Sequence, residues 1–248
     1  MKKILLLAVL NLIFNYAFSQ STKEKIITVT YKSIPFSQYY FNHSDTDSQE
    51  KIELDYALRA GYEHFYTLHI NPATNQSIFV FDTLKITKVK GKEDYWTDPE
   101  NKIAYCLKKS DGFYQRNESV FDQTFFINGN IGDIEWEITN EQKEILGFTC
   151  TKAVSKNEKL LLTAWFTQEI PVNTGPSNYL GLPGLVVWAE DYFNTFSVQK
   201  ISYSVTPEIF KQKLDDTQNT IKKNHEDGLS EKIYQLKKSN LVKQLRSY

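Results

Sequence analysis

Chemistry in this chain of 248 residues would have to come from four histidines, two cysteines and a scatter of acids. The histidines are His43, His64, His69 and His225. His64 and His69 stand an odd number of positions apart in a segment of extended character, so their side chains leave opposite faces and cannot share a metal. No HExxH or GxSxG motif occurs, and neither Cys106 nor Cys150 has a histidine close by in sequence, so no metal site and no cysteine nucleophile is expected. Glu169 and Asp191 bracket a loop rich in Gly and Pro, and they form the one carboxylate pair that could divide acid and base work in a hydrolase. The competing reading of that pair is two ordinary loop acids.

The bracketed loop is the most unusual local sequence. It holds Gly175-Pro176 and then Gly181-Leu182-Pro183-Gly184-Leu185. Pro183-Gly184 suits the two central positions of a type II turn, with a positive φ expected at Gly184. Leucines on both sides, with Val186, Val187 and Trp188 beyond, predict a tight apolar corner feeding a buried strand. There is no GxGxxG, no Walker lysine and no helical pattern directly after the glycines, so neither a phosphate cradle nor a nucleotide cofactor is expected. Trp165, Tyr179 and Trp188 flank the loop and either line a binding face or fill the core.

The elements that must position these residues read as short strands. In Asp133 to Thr139, Ile134, Trp136 and Ile138 alternate with Asp133, Glu135 and Glu137, the period of two of a half-buried strand. Noisier segments of the same kind are Ile26 to Tyr31, Phe65 to Ile70, Ser77 to Val89, Lys102 to Leu107, Phe121 to Ile127, Ile145 to Val154, Leu160 to Thr167, Leu185 to Ala189 and Thr195 to Val205. Their short connectors leave no room for parallel crossovers. The expected fold is therefore mainly β, an antiparallel curved sheet arranged as a half-barrel or sandwich over residues 20–206.

Residues 207–248 read as a helical C-terminal tail. Thr206-Pro207-Glu208 supplies an N-cap, a first-turn proline and an acid at the positive helix end. Phe210, Leu214, Thr217 and Ile221 then form one apolar stripe, and Leu229, Ile233, Leu236, Leu241 and Leu245 a second after Asp227-Gly228. Lys232, Lys237, Lys238, Lys243 and Arg246 accompany the second stripe, as a solvated face or a surface for anionic lipid.

With 41% hydrophobic and 24% charged residues the chain is globular in composition, and a formal net charge of -1 lacks the basic footprint of a nucleic-acid binder. Met1-Lys2-Lys3, the apolar run Ile4 to Phe14 and the small residues Ala17 and Ser19 read as a signal peptide over residues 1–19, cleaved between Ser19 and Gln20. Asn11 and Asn15 interrupt the run, and no later segment is long and apolar enough to cross a membrane as a helix. The expected location is therefore periplasmic or envelope-associated. In that compartment Cys106 and Cys150 are expected to pair as a disulfide worth about 4 kcal/mol of loop entropy, the alternative being two buried thiols.

From Ile145 to Asp191 the sequence resembles the GLPGLI family of exported bacterial proteins. Gly147-Phe148-Thr149-Cys150-Thr151-Lys152-Ala153 is similar to the family's Gly-aromatic-x-Cys-x-Lys-Ala segment, and Ala164-Trp165-Phe166-Thr167 to its Ala-Trp-aromatic-Thr strand. Glu169-Ile170-Pro171 and Gly175-Pro176 resemble the approach to the signature, which here reads Gly181-Leu182-Pro183-Gly184-Leu185-Val186. Val186 replaces the final Ile and keeps a β-branched apolar side chain, whereas Ser177-Asn178-Tyr179-Leu180 is less aromatic and basic than the family's pattern. The resemblance implies an envelope protein and supplies no catalytic residues. The expected function is a non-enzymatic binding or carrier module for an apolar ligand or a peptide, with Trp165, Glu169, Tyr179 and Trp188 beside a loop fixed by Gly175, Pro176, Gly181, Pro183 and Gly184. A second expectation is an accessory subunit docking to an outer-membrane receptor or secretion complex through the corner Leu182 to Leu185.

Overall fold

The structure, a computed structural model, describes residues 25–35, 49–92, 101–120, 123–222 and 227–245. The expected signal segment with its Ser19/Gln20 junction, and His43 and His225, lie outside those residues. Thirteen strands form one sheet: β1 (Ile26–Ile34), β2 (Tyr62–Asn71), β3 (Gln76–Ile86), β4 (Asn101–Lys102), β5 (Tyr105–Lys108), β6 (Phe113–Val120), β7 (Gln123–Asn130), β8 (Trp136–Ile145), β9 (Phe148–Ser155), β10 (Thr163–Thr167), β11 (Leu185–Glu190), β12 (Thr195–Val205) and β13 (Leu229–Ser230). Among the described residues three α-helices accompany them, α1 (Gln49–Ala60), α2 (Pro207–Lys222) and α3 (Glu231–Leu245), with one 3-10 turn at Glu158–Leu160. The protein is thus mainly β, with a single open antiparallel sheet rather than a sandwich.

The strand order is β13-β7-β6-β5-β3-β2-β1-β12-β11-β10-β9-β8, with β4 paired to β6 off this path. Two sequential meanders, β1 to β7 and β8 to β12, therefore meet at one seam, where β1 pairs antiparallel with β12 from Ile26↔Val205 to Ile34↔Thr195. Only the two-residue β13 runs parallel, against β7. Strands β7 and β8 lie near opposite ends of the sheet, yet five residues, 131–135, join them. A connector of that length reaches at most about 21 Å, so the sheet must curl until its ends nearly meet. The result is a barrel left open along one side.

The inner face is apolar over most of its width. One row of register partners runs Val29, Leu68, Phe79, Cys106, Arg116, Ile127 across six strands, every member buried. Arg116 is the exception in chemistry. On the outer face α2 buries Phe210, Leu214 and Ile221 against Ile26, Ile78, Tyr105 and Leu107, with Thr206 Oγ1 accepting from the Ile209 amide at 3.4 Å. That is the stripe and the cap read from the sequence.

Three expectations fail. Cys106 lies on β5 and Cys150 on β9, seven strand positions apart, and both are free buried thiols, so there is no disulfide. Burial pushes the Cys106 thiol up to about 12. Gly184 is not among the glycines of positive φ; Gly181 is, at +89°. What Gly184 provides is close approach, since a Cβ there would stand 2.1 Å from the Thr167 carbonyl oxygen. The third failure is the apolar stripe of α3. Its Ile233 and Leu236 are exposed, while Glu231, Tyr234, Lys238 and Val242 face inward.

Candidate functional site

Ile170, Val172, Thr174, Tyr179, Leu180 and Leu182 of the segment 170–184 pack inside the curled sheet. Thr174 Oγ1 lies 3.0 Å from Ser77 Oγ, and Asn173 Oδ1 accepts from Lys108 Nζ at 3.1 Å. Lys108 is buried, which pushes its pKa down to about 8, and Asn75 supplies two further acceptors. The Tyr179 ring stacks on Trp136 and meets Phe196 edge-on, and the Trp136 indole N–H donates to the Leu180 carbonyl at 2.9 Å. Gly175 permits this packing, because a Cβ there would stand 2.5 Å from Val186 Cβ. Tyr179, Leu182 and Leu185 are each buried to 2% exposure or less, with Gly175, Pro176 and Gly184 buried beside them, while Gly181 and Pro183 are exposed, as are Gln168, Glu169 and Pro171 at the start of the segment. The leucines of the corner are interior, so the corner presents no exposed leucine patch of the kind expected for docking.

The other residues singled out from the sequence lie elsewhere. Trp165 and Trp188 are register partners on the sheet face opposite Ala164, Ala189 and Phe196, and the Lys143 ammonium sits over both rings, 3.9 and 5.3 Å from their centroids. Glu169 is exposed and accepts from the Thr149 amide at 2.9 Å. Asp191 is buried at the other end of β10 and β11, about 17 Å of strand away. Its Oδ1 accepts from the Phe193 and Asn194 amides at 2.8 Å, and its Oδ2 from Lys238 at 2.8 Å. The two acids therefore cannot act on one bond, and the hydrolase reading loses its catalytic pair. His64 and His69 emerge on opposite faces, opposite Ser33 and Thr28 respectively.

The structure instead brings together a cluster that the sequence did not announce. Arg116 on β6 is fully buried and donates from Nε and Nη2 to the two oxygens of Glu231 at 3.0 and 2.8 Å, and from Nη1 to Glu118. Lys238 bridges Glu118 at 2.6 Å and Asp191 at 2.8 Å. Asn178 and Gln235 donate to Glu231 as well, at 3.3 and 3.4 Å. Burial alone would raise the Glu118 carboxyl, but the Lys238 and Arg116 charges outweigh it and hold it well below the usual range. Burial likewise works against the Lys238 charge, and Asp191 and Glu118 overcome it and raise its pKa. Glu231 and Lys238 stand seven residues apart, two turns of α3 on one face, so the helix is riveted at two points to the sheet and to the 191–194 turn.

Above this cluster α3 spans the open side of the sheet, and beside the helix lies a cleft of about 1120 Å³. Its walls are α3, the 131–135 connector and the turn between β9 and β10. Ile134, Leu160, Leu236 and Val242 supply apolar surface, and Lys156, Lys159, Lys232 and Lys243 outnumber Asp133 and Glu135. Lys156 is tied to Glu135 at 3.3 Å, which leaves the α3 side of the cleft the more positive. A small void of about 20 Å³ continues inward from the cleft to Arg116 and Glu231. Among the described residues no group of acids, histidines or cysteines could hold a metal, and no helix is long and apolar enough to cross a membrane.

The described residues form an open, curled antiparallel sheet with a sizeable cleft on its unsealed side. Comparison with known proteins adds a family without a function. Residues 154–188 match the model of a protein family of unknown function, Porph_ging. That stretch runs from β9 through the interior segment to Trp188. No curated protein matches the chain. Among solved structures, PNGF-II in its C2 crystal form is similar at 13% identity and a TM-score of 0.44, over 89% of this chain and 33% of that one. An uncharacterised conserved protein from Thermus thermophilus is similar at 6% identity and 0.34, over 84% and 90%. A DUF1329 family protein from Desulfovibrio piger is similar at 9% identity and 0.26, over 75% and 88%. The chain thus spans about a third of the length of PNGF-II.

Proposed function

We propose that this is an exported, envelope-associated protein of the GLPGLI type that works as a non-enzymatic binding module for an extended peptide segment, seated in the cleft beside α3. The observation that carries this reading is where the space lies. An apolar cargo needs an enclosed apolar cavity, and the inside of the sheet is occupied by the chain's own segment 170–184. The cleft has the volume of a ligand site and mixes apolar with hydrogen-bonding walls, which suits a chain presenting alternating side chains and amides. Its excess of lysine over acid favours a segment that carries carboxylates. The start of the sequence, Met1-Lys2-Lys3 followed by an apolar run, supports export.

The test is fluorescence anisotropy of the chain from Gln20 onward with a panel of labelled eight-residue peptides that alternate Leu with Glu, Gln or Lys. The Leu/Glu peptides should bind at least tenfold more tightly than the Leu/Lys ones, and Leu236→Glu should abolish the difference. Binding of none of the peptides, or binding indifferent to Leu236→Glu, refutes the reading.

A further inference from the structure

The void at the inner end of the cleft is surrounded by more donors than its own acceptors use. Arg116 has five N–H groups and spends three, two on Glu231 and one on Glu118. Lys238 has three and spends two, on Glu118 and Asp191. Tyr234 is 1% exposed and lines the void, and its ring lies 4.9 Å from the Arg116 guanidinium. Its hydroxyl stands near Glu118 but makes no hydrogen bond of good geometry. Lys159 and Asn178 complete the wall. Buried donors without partners cost stability unless something accepts from them. About 20 Å³ is room for one oxygen-sized atom, and the way in is from the cleft, with which the void shares Lys159, Leu160, Gln235, Ser239 and Val242.

We infer that this void is a subsite for a carboxylate of the bound ligand, one oxygen entering between Tyr234, Arg116 and Lys238 while the rest of the group stays against Lys159 at the cleft floor. The inference rests on the cleft being the binding site and specifies its chemistry. Of the charged groups named, Glu118, Glu231 and Asp191 outnumber Arg116 and Lys238 by one, and Lys159 makes the set neutral before the ligand enters, so the carboxylate is held by the unspent N–H groups and the Tyr234 hydroxyl rather than by a net positive charge. The carboxylate can come from an acidic side chain or from a peptide C-terminus.

Hexanoate and hexanamide are matched probes, read by NMR on the Arg116 Nε–H signal of the chain from Gln20 onward, with the signal identified by its loss in Arg116→Lys. Hexanoate should shift that signal and bind at least tenfold more tightly than hexanamide. Tyr234→Phe, which removes only the hydroxyl, should cut the preference to under threefold while hexanamide binding and the fold are unchanged. Equal affinity for acid and amide, no binding of hexanoate at tens of millimolar, or a preference untouched by Tyr234→Phe overturns the inference. Peptides with free and amidated C-termini then separate the two sources. If the Leu/Glu peptides bind but hexanoate does not reach Arg116, the subsite fails and the peptide reading stands; if hexanoate shifts Arg116 and no peptide binds, the subsite stands and the peptide reading fails.

Discussion

Replacing Glu231 by Gln tests the rivet between α3 and the sheet most directly. Glu231 Oε1 accepts from Arg116 Nη2, Asn178 and Gln235, and Oε2 accepts from Arg116 Nε alone. An amide must place its NH₂ at one of these positions, and the less costly choice is opposite Nε. That choice loses one charge-assisted hydrogen bond, worth about 1.5–3 kcal/mol, and strands a buried N–H at a cost of about 1–3 kcal/mol. The expected loss is about 3–5 kcal/mol, the range for removing one partner of a buried ion pair. Arg116→Met should cost a similar amount, because it leaves Glu231 and Glu118 charged and short of donors. The double variant removes donor and acceptor together, so it should be less destabilised than the sum by about 2 kcal/mol or more. Urea unfolding of the four proteins, followed by tryptophan fluorescence with the slope held as a check on the unfolded state, gives each value. A loss below about 1 kcal/mol for Glu231→Gln, or a coupling below about 0.5 kcal/mol, would refute the claim that the pair fixes the helix.

Gly184→Ala should cost about 3 kcal/mol or prevent folding, because the new Cβ meets the Thr167 carbonyl. Gly147→Ala, with φ +81 and open space around it, should cost about 1 kcal/mol, and the reverse order in denaturant titrations would refute the close approach. Two thiols should titrate per chain in denaturant, with none reacting in the native protein and no change of Tm on adding reductant; absence of thiols in denaturant would restore the disulfide. Burial, aided by the Lys213 charge, lowers the His69 pKa to about 4. The unfolded chain therefore takes up a proton below about pH 6.5 that the native protein refuses, and stability should fall by up to about 3 kcal/mol between about pH 6.5 and 4, then level off for this group. The lowered Glu118 carboxyl acts in the same direction, but only below its ordinary pKa near 4.5. His69→Gln should thus flatten the stability profile between about pH 7 and 5, and parallel profiles for the two proteins would refute the assignment.

Alternation made the fold legible where the buried side chains are apolar. Trp136 and its neighbours read as a strand and form one, although β8 begins only at Trp136 and Ile138 ends half exposed. The same rule hid β6. Its inward set is Tyr114, Arg116, Glu118 and Val120, so a reader who expects apolar residues inside sees a polar stretch and no strand. It inverted α3 for the same reason, because Glu231 and Lys238 are buried while Ile233 and Leu236 are not. Neither inversion has a local signal. Arg116 is satisfied by a residue 115 positions away, and only the tertiary fold shows that the two charges meet. The Gly-Pro loop was conspicuous because its glycines are packing constraints, which is why it marks the interior of the sheet and not the cleft.

The seam between β1 and β12 bears on how the chain reaches its native state. Strand β1 can pair with β2 as soon as both exist, but its other edge waits for a partner some 165 residues later. Each meander is built from neighbouring strands, so each can form early, and joining them is the step of highest loop-closure cost. Until then two long strand edges stand open, one on each half. At high concentration, the β1 edge of one molecule can accept the β12 edge of another, giving an exchanged dimer with native contacts throughout. Refolding should therefore end in a slow phase that consolidates this seam, and crowding during folding should divert chains into that dimer.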